Sequence, residues 1–135
     1  MLEFCLISIL SVAMCIVVLS IILKVEKKQI EKIKRRMSKE DIEKIGNQEF
    51  QIYEENNNFL IGTSYIYEIK EDKNRYEIKL IFGYNSFFKP AKEYATTTVY
   101  MDKEIFKGKN LQVGQIVNTL HNRSGEALYR IKQIL

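Results

Sequence analysis

The apolar residues of this chain follow two different patterns. Phe4 to Leu23 reads FCLISILSVAMCIVVLSIIL, twenty residues without a charge, proline or glycine. A helix of that length rises about 30 Å, the thickness of a bilayer's hydrocarbon core, and satisfies its own backbone polar groups in lipid. Residues 1–23 are therefore predicted to form a transmembrane helix. Ser8, Ser11 and Ser20 do not oppose insertion, because a helical serine returns its hydroxyl to the carbonyl one turn back. From Asn47 onward the period falls to two. Ile61, Thr63, Tyr65, Tyr67 and Ile69 alternate with Gly62, Ser64, Ile66, Glu68 and Lys70. After the turn signal Asp72-Lys73-Asn74, Tyr76, Ile78, Leu80 and Phe82 alternate in the same way, which predicts a hairpin. Further strands are expected over Phe50–Tyr53, over the β-branched and aromatic run Tyr94–Met101, from Val113 to Leu120 and over Ala127–Ile134. Turns are expected at Lys107–Asn110 and Asn122–Gly125.

Between these regimes lies a helical spacer, residues 24–46. No breaker separates Leu23 from Met37, so the membrane helix is expected to continue into solvent. Ser38-Lys39-Glu40-Asp41 fits a capping box with Asp in the place of Glu, so a second short helix should run from Lys39 to Ile45 and end at Gly46. Ile30, Ile33 and Met37 line one face of the spacer, which suits a neighbouring chain or the following domain. The expected fold class is mainly β with an N-terminal transmembrane helix. A small five- or six-stranded antiparallel barrel of OB or SH3-like type, residues 47–135, follows the basic juxtamembrane helix. Closure is expected because it removes exposed strand edges.

Charge then assigns direction. Residues 24–36 (KVEKKQIEKIKRR) hold seven Lys/Arg against Glu26 and Glu31, a net of +5 in a chain whose total is +4. Lysine and arginine stay on the cytoplasmic side, which places the C-terminal domain in the cytoplasm and the N-terminus outside. A cleaved signal peptide would carry a positive leader, a shorter core and small residues before the cut. Here the leader is Met-Leu-Glu and the run is long, so retention is expected. Lys24, Lys27 and Lys28 lie near enough to the membrane to meet anionic lipid headgroups, at about 1 kcal/mol each. Arg36, about 20 Å further along a straight helix, does not. In the cytoplasm Cys5 and Cys15 would remain thiols, and the sequon Asn122-Arg123-Ser124 would carry no sugar.

The segment Leu111-Gln112-Val113-Gly114-Gln115-Ile116-Val117, placed before Asn122–Gly125 and a final strand and preceded by a membrane helix and spacer, resembles a group of bacterial small barrels. These include membrane-anchored domains of unknown function and the OB-type domain of the NfeD family, in which a V-G-x-x-V segment marks a glycine bend leading into a strand. The resemblance covers residues 60–135 and implies a barrel tethered to the membrane. It carries no catalytic residue across.

Candidate chemistry is sparse. His121 is the only histidine, and neither a nucleophile nor an orienting carboxylate accompanies it in any recognisable spacing, so it is expected as a satisfied strand-end or surface residue. Gly108-Lys109 lacks the earlier glycine and the Ser/Thr of a phosphate-binding loop. No catalytic role, cofactor or metal is expected. Tyr65, Tyr67, Tyr76, Tyr94 and Tyr100 would suit an OB-type barrel that stacks single-stranded bases. However, residues 47–135 balance twelve Lys/Arg against eleven Asp/Glu, which disfavours nucleic acid, and the alternation assigns the tyrosines to the barrel wall. Phe87 and Phe88 sit in the loop Tyr84–Pro90. Adjacent residues of an extended chain cannot both face inward, so one of them is a candidate partner contact. The expectation is a single-pass interaction or accessory protein, contacting the bilayer and a protein partner or a second copy of itself. A tethered oligomer-binding or single-strand-binding barrel is the alternative.

Overall fold

A computed structural model describes residues 2–48, 50–52, 59–85, 92–122 and 130–135. The chain divides into two compact units, Met1–Arg35 and Arg36–Leu135.

The first unit is one helix. α1 runs from Leu2 to Arg36 without interruption, about 52 Å at 1.5 Å per residue. It is long and apolar enough to cross a membrane. Fourteen large apolar residues between Phe4 and Leu23 are each at least 48% exposed. Ser20 donates its hydroxyl to the Ile16 carbonyl at 2.9 Å, which leaves no polar group of that side chain facing outward unpaired.

The second unit opens with α2 (Lys39–Gly46). Ser38 caps it, its Oγ accepting from the Asp41 amide at 3.2 Å, and Asn47 closes it by donating its amide to the Glu43 carbonyl. Gly46 is thus the last helical residue rather than the cap. The strands are β1 (Gln51–Ile52), β2 (Phe59–Glu71), β3 (Arg75–Asn85), β4 (Lys92–Asp102), β5 (Ile116–Asn122) and β6 (Arg130–Ile134). All pairings are antiparallel, in the order β4-β3-β2-β5-β6, with β1 added beside β2. The β2–β3 hairpin turns where the sequence predicts it. Asp72 and Arg75 close it through the Asp72 amide and the Arg75 carbonyl (2.9 Å), and the Asp72 carboxylate accepts from the Lys73 amide.

The sheet curls into a half-barrel around Ile66, Ile78, Leu80, Phe82, Val99, Met101, Val117 and Ile131. No ladder joins the outer strands β4 and β6 among the described residues, so the expected closure is not seen there. Part of the seam is occupied by α3 (Lys103–Lys109), where the sequence predicts only a turn. Phe106 of α3 stacks on Tyr76 with ring centroids 3.9 Å apart, and Lys109 donates to the carbonyl of Ile134, on the outer strand β6, at 3.3 Å. A lysine on a free strand edge discourages further pairing there. Asn110 ends α3 in the left-handed region (φ 55°), and Gly114 (φ 93°) makes the bend ahead of β5.

The alternation along β2 changes parity partway. Leu60, Gly62, Ser64 and Ile66 face the core, whereas beyond a bulge between Ile66 and Glu68 it is Ile69 that packs against it. A bulge inserts one unpaired residue and flips the faces of everything beyond it. The small residues Gly62 and Ser64 are inward because Phe50 and the β5 side chains fill the space beside them.

Candidate functional site

On α1, Lys24, Lys27 and Lys28 are all exposed. Ile30 is half-buried and Ile33 buried, and Met37, in the second unit, is buried. Phe87 and Phe88 lie outside the described residues. Of the five tyrosines, Tyr65 is buried, while Tyr67, Tyr76 and Tyr94 are half-buried. Tyr100 is 53% exposed, with the Arg75 guanidinium 3.9 Å above its ring. The tyrosines therefore do not form one stacking platform. Among the described residues no group of three or more His, Cys, Asp or Glu side chains is gathered as a metal site would require.

Of the two places expected for His121, a strand end or the surface, it takes the first: it is the penultimate residue of β5, hydrogen-bonded and fully buried. Its Nε2 lies 2.6 Å from Thr119 Oγ1, which lies 2.8 Å from Ser64 Oγ, and Phe50 and Phe82 meet the imidazole edge-to-face at 4.9 and 4.7 Å. Residues 119 and 121 share a face of β5, and Ser64 enters from the neighbouring strand β2, so the alternation of two strands assembles this polar row. The serine bonds to the threonine and not to the imidazole. A nucleophile needs both a base within hydrogen-bond reach and a substrate at its oxygen; Thr119 has the first in His121, but the row, enclosed at 0% exposure, leaves no path for the second. It acts as a satisfied polar stitch between β2 and β5.

The most elaborate polar arrangement centres on Gln48, a residue with no signal of its own in the sequence. β3 pairs with β2 only as far as Tyr65–Ile81 and then diverges. The side-chain carboxamide of Gln48 stands in the gap. Its Oε1 accepts from the Thr63 amide and the Thr63 hydroxyl (3.1 Å), and its Nε2 donates to the carbonyls of Thr63 (2.9 Å), Gly83 (3.1 Å) and Ile45 (2.9 Å). The carboxamide takes both polar groups of Thr63 as a residue of a neighbouring strand would. Two residues back along β2, β1 pairs Gln51 with Ile61. The outward row of β2 is thereby satisfied in sequence at Ile61, Thr63 and Tyr65 by β1, a side chain and β3. Gln48→Ala removes the partner of all of these groups. At about 1–3 kcal/mol for each buried group left unpaired, relieved in part by entering water, an overall loss of about 2 kcal/mol is expected, read as a lowered midpoint in urea.

Tyr84 supplies the clearest electrostatic feature. Its hydroxyl donates to the Glu93 carboxylate at 2.9 Å across the β3–β4 pair. Burial, followed by the hydrogen bond and charge of Glu93, pushes its pKa up to about 12. Burial likewise raises Tyr94. The folded state holds the Tyr84 proton more tightly than the unfolded chain does. This stabilisation is therefore complete below about pH 10 and is lost as pH rises from there towards 12. Absorbance at 295 nm should show an ionisation near pH 12 that disappears in Tyr84→Phe, and the same variant should flatten the fall in stability across that window.

Comparison with known proteins finds no match: no family model, curated protein or solved structure is similar to the chain.

Proposed function

We propose that this is a single-pass membrane protein that presents a small β domain, OB- or SH3-like in architecture, on the cytoplasmic side as an interaction or accessory subunit of a larger membrane assembly. One observation carries the anchor: the unbroken exposure of the uncharged stretch Phe4–Leu23 on α1. Leaving those fourteen side chains in water would cost on the order of 20 kcal/mol at about 1.5 kcal/mol each, more than the net stability of a domain. Lipid removes that cost. The direction rests on the +5 flank, and an interaction role on the combination of a strong anchor with a polar row and a clasp that stitch structure rather than present reactive groups.

The test has three arms. Membranes washed with alkaline carbonate should retain the protein. Its intact mass should include the apolar segment, since a cleaved signal would remove it. Protease added to intact cells should leave the C-terminal domain whole. Exchanging Lys24, Lys27 and Lys28 for glutamate lowers the net charge of residues 24–36 from +5 to −1. That variant is expected to move a majority of the domains to the protease-accessible side, because basic residues set the orientation. A protected domain in the triple variant would remove the charge argument for direction.

A further inference from the structure

A positive flank sets orientation by its count of lysine and arginine, wherever around the helix they stand. On α1 the lysines nearest the apolar run are not spread around the helix. At about 100° per residue, Lys27 and Lys28 stand about 100° apart with Lys24 between them, while Glu26, the acid at the same depth, lies about 160° from Lys24 on the other side. All four side chains are exposed. None of the three lysines makes an ion pair among the described residues. Their stems line one open groove with Glu31, Lys32 and Arg35. Lys24–Lys27 and Lys24–Lys28 are like-charge neighbours at i,i+3 and i,i+4, which costs the helix stability unless an anion sits between them.

The same three residues span a defined layer. Lys24 follows directly on the uncharged run, and the rise from Lys24 to Lys28 is about 6 Å, the depth of the headgroup region on one side of a bilayer. Side chains on a helix lean towards its N-terminus, which here is the side of the apolar run, so the three ammonium groups are directed back at the bilayer surface. Further out, Glu31 shares the face with Lys32 and Arg35 and dilutes their charge. We propose that this face of α1 binds one anionic lipid carrying two phosphates in its headgroup, of the diphosphatidylglycerol type. One phosphate is held between Lys24 and Lys27 and the other between Lys24 and Lys28. A lipid supplies the phosphates because the groove begins where the lipid-facing run ends, and a single phosphate would engage only one side of Lys24. The inference rests on the reading of α1 as a membrane anchor and uses residues of the first unit alone.

Native mass spectrometry of the full-length protein in non-ionic micelles tests the site, with diphosphatidylglycerol and phosphatidylglycerol offered together at equal phosphate. One diphosphatidylglycerol per chain is expected, preferred about fivefold over the single-phosphate lipid, the factor that one further engaged lysine supplies. Exchanging the charges of one pair, Lys24→Glu with Glu26→Lys, leaves the net charge of residues 24–36 at +5 and sets a carboxylate at the centre of the face. That variant should take up the two lipids equally. Equal uptake by the wild type, or an undiminished preference in the exchange variant, would show that the count of charges alone attracts anionic lipid, and would overturn the site. Carbonate extraction of both proteins from membranes separates this failure from a failure of the anchor. Retention without lipid preference removes the site and leaves the anchor standing, whereas extraction of the wild type removes both.

Discussion

Val12→Arg combined with Val17→Arg is expected to strip the protein from the membrane fraction. Both positions lie within the twenty-residue uncharged run and are exposed on α1. On the insertion scale an arginine near the helix centre costs about 3 kcal/mol relative to valine, so the pair costs about 6 kcal/mol. Snorkelling relieves a charge near a helix end, but from the middle of the span neither side chain reaches the interface without distorting the bilayer. A factor of roughly ten per 1.4 kcal/mol turns that cost into a change of about four orders of magnitude in the insertion equilibrium. The double variant should pellet as aggregate or be degraded, and the carbonate-resistant fraction should disappear. A control pair, Val12→Leu with Val17→Leu, should keep it. Carbonate-resistant double-arginine protein would mean that the helix is covered by protein and not by lipid.

What the sequence revealed and what it concealed divide according to the distance over which each feature is determined. The apolar run, the Ser38 cap and the Asp72–Asn74 turn are fixed by residues within one or two turns of each other, and all three appear in the structure. α3 escaped because Lys103–Lys109 carries only Ile105 and Phe106 as apolar residues, and what holds it is the stacking of Phe106 on a tyrosine thirty residues earlier. His121 was legible as a strand-end residue, but its full burial was not, because Phe50 and Phe82, which enclose the ring, come from other segments whose meeting no spacing announces; only Thr119 is a neighbour on the same strand. Gln48 was hidden for the same reason, since its partners lie 15 and 35 positions away. A usable signal did exist. Gly62 and Gly83 each interrupt a strand pattern, and an isolated glycine in a strand marks a bulge or the close approach of another backbone. Read as a pair, they point to something inserted between β2 and β3. Closure failed as an expectation because edge protection has a second solution, a lysine capping a free carbonyl, which this chain adopts at Lys109.

The same chemical change, glycine to alanine, should have opposite signs at two positions. At Gly83 the added methyl would meet the Ile45 carbonyl oxygen at 2.8 Å and Gly46 Cα at 2.9 Å. Both are backbone atoms of α2, so no rotamer change makes room. Either α2 moves away, breaking the contact of the Gln48 carboxamide with the Ile45 carbonyl, or β3 shifts and disturbs its ladder with β4. Overpacking of this kind costs about 1–3 kcal/mol, and the attached loss of hydrogen bonding puts Gly83→Ala at about 3 kcal/mol. The lower entropy of alanine in the unfolded chain returns less than about 1 kcal/mol of that. At Gly108, in α3, nothing lies within 4 Å of the added Cβ. There alanine should stabilise by about 0.5–1 kcal/mol through helix propensity alone. The chain has no tryptophan, so circular dichroism is the convenient probe. At about 4–8 °C per kcal/mol for a domain of this size, Gly83→Ala should melt more than 10 °C below wild type and Gly108→Ala a few degrees above it. A Gly83→Ala protein as stable as wild type would mean that α2 does not press on β3 at that point.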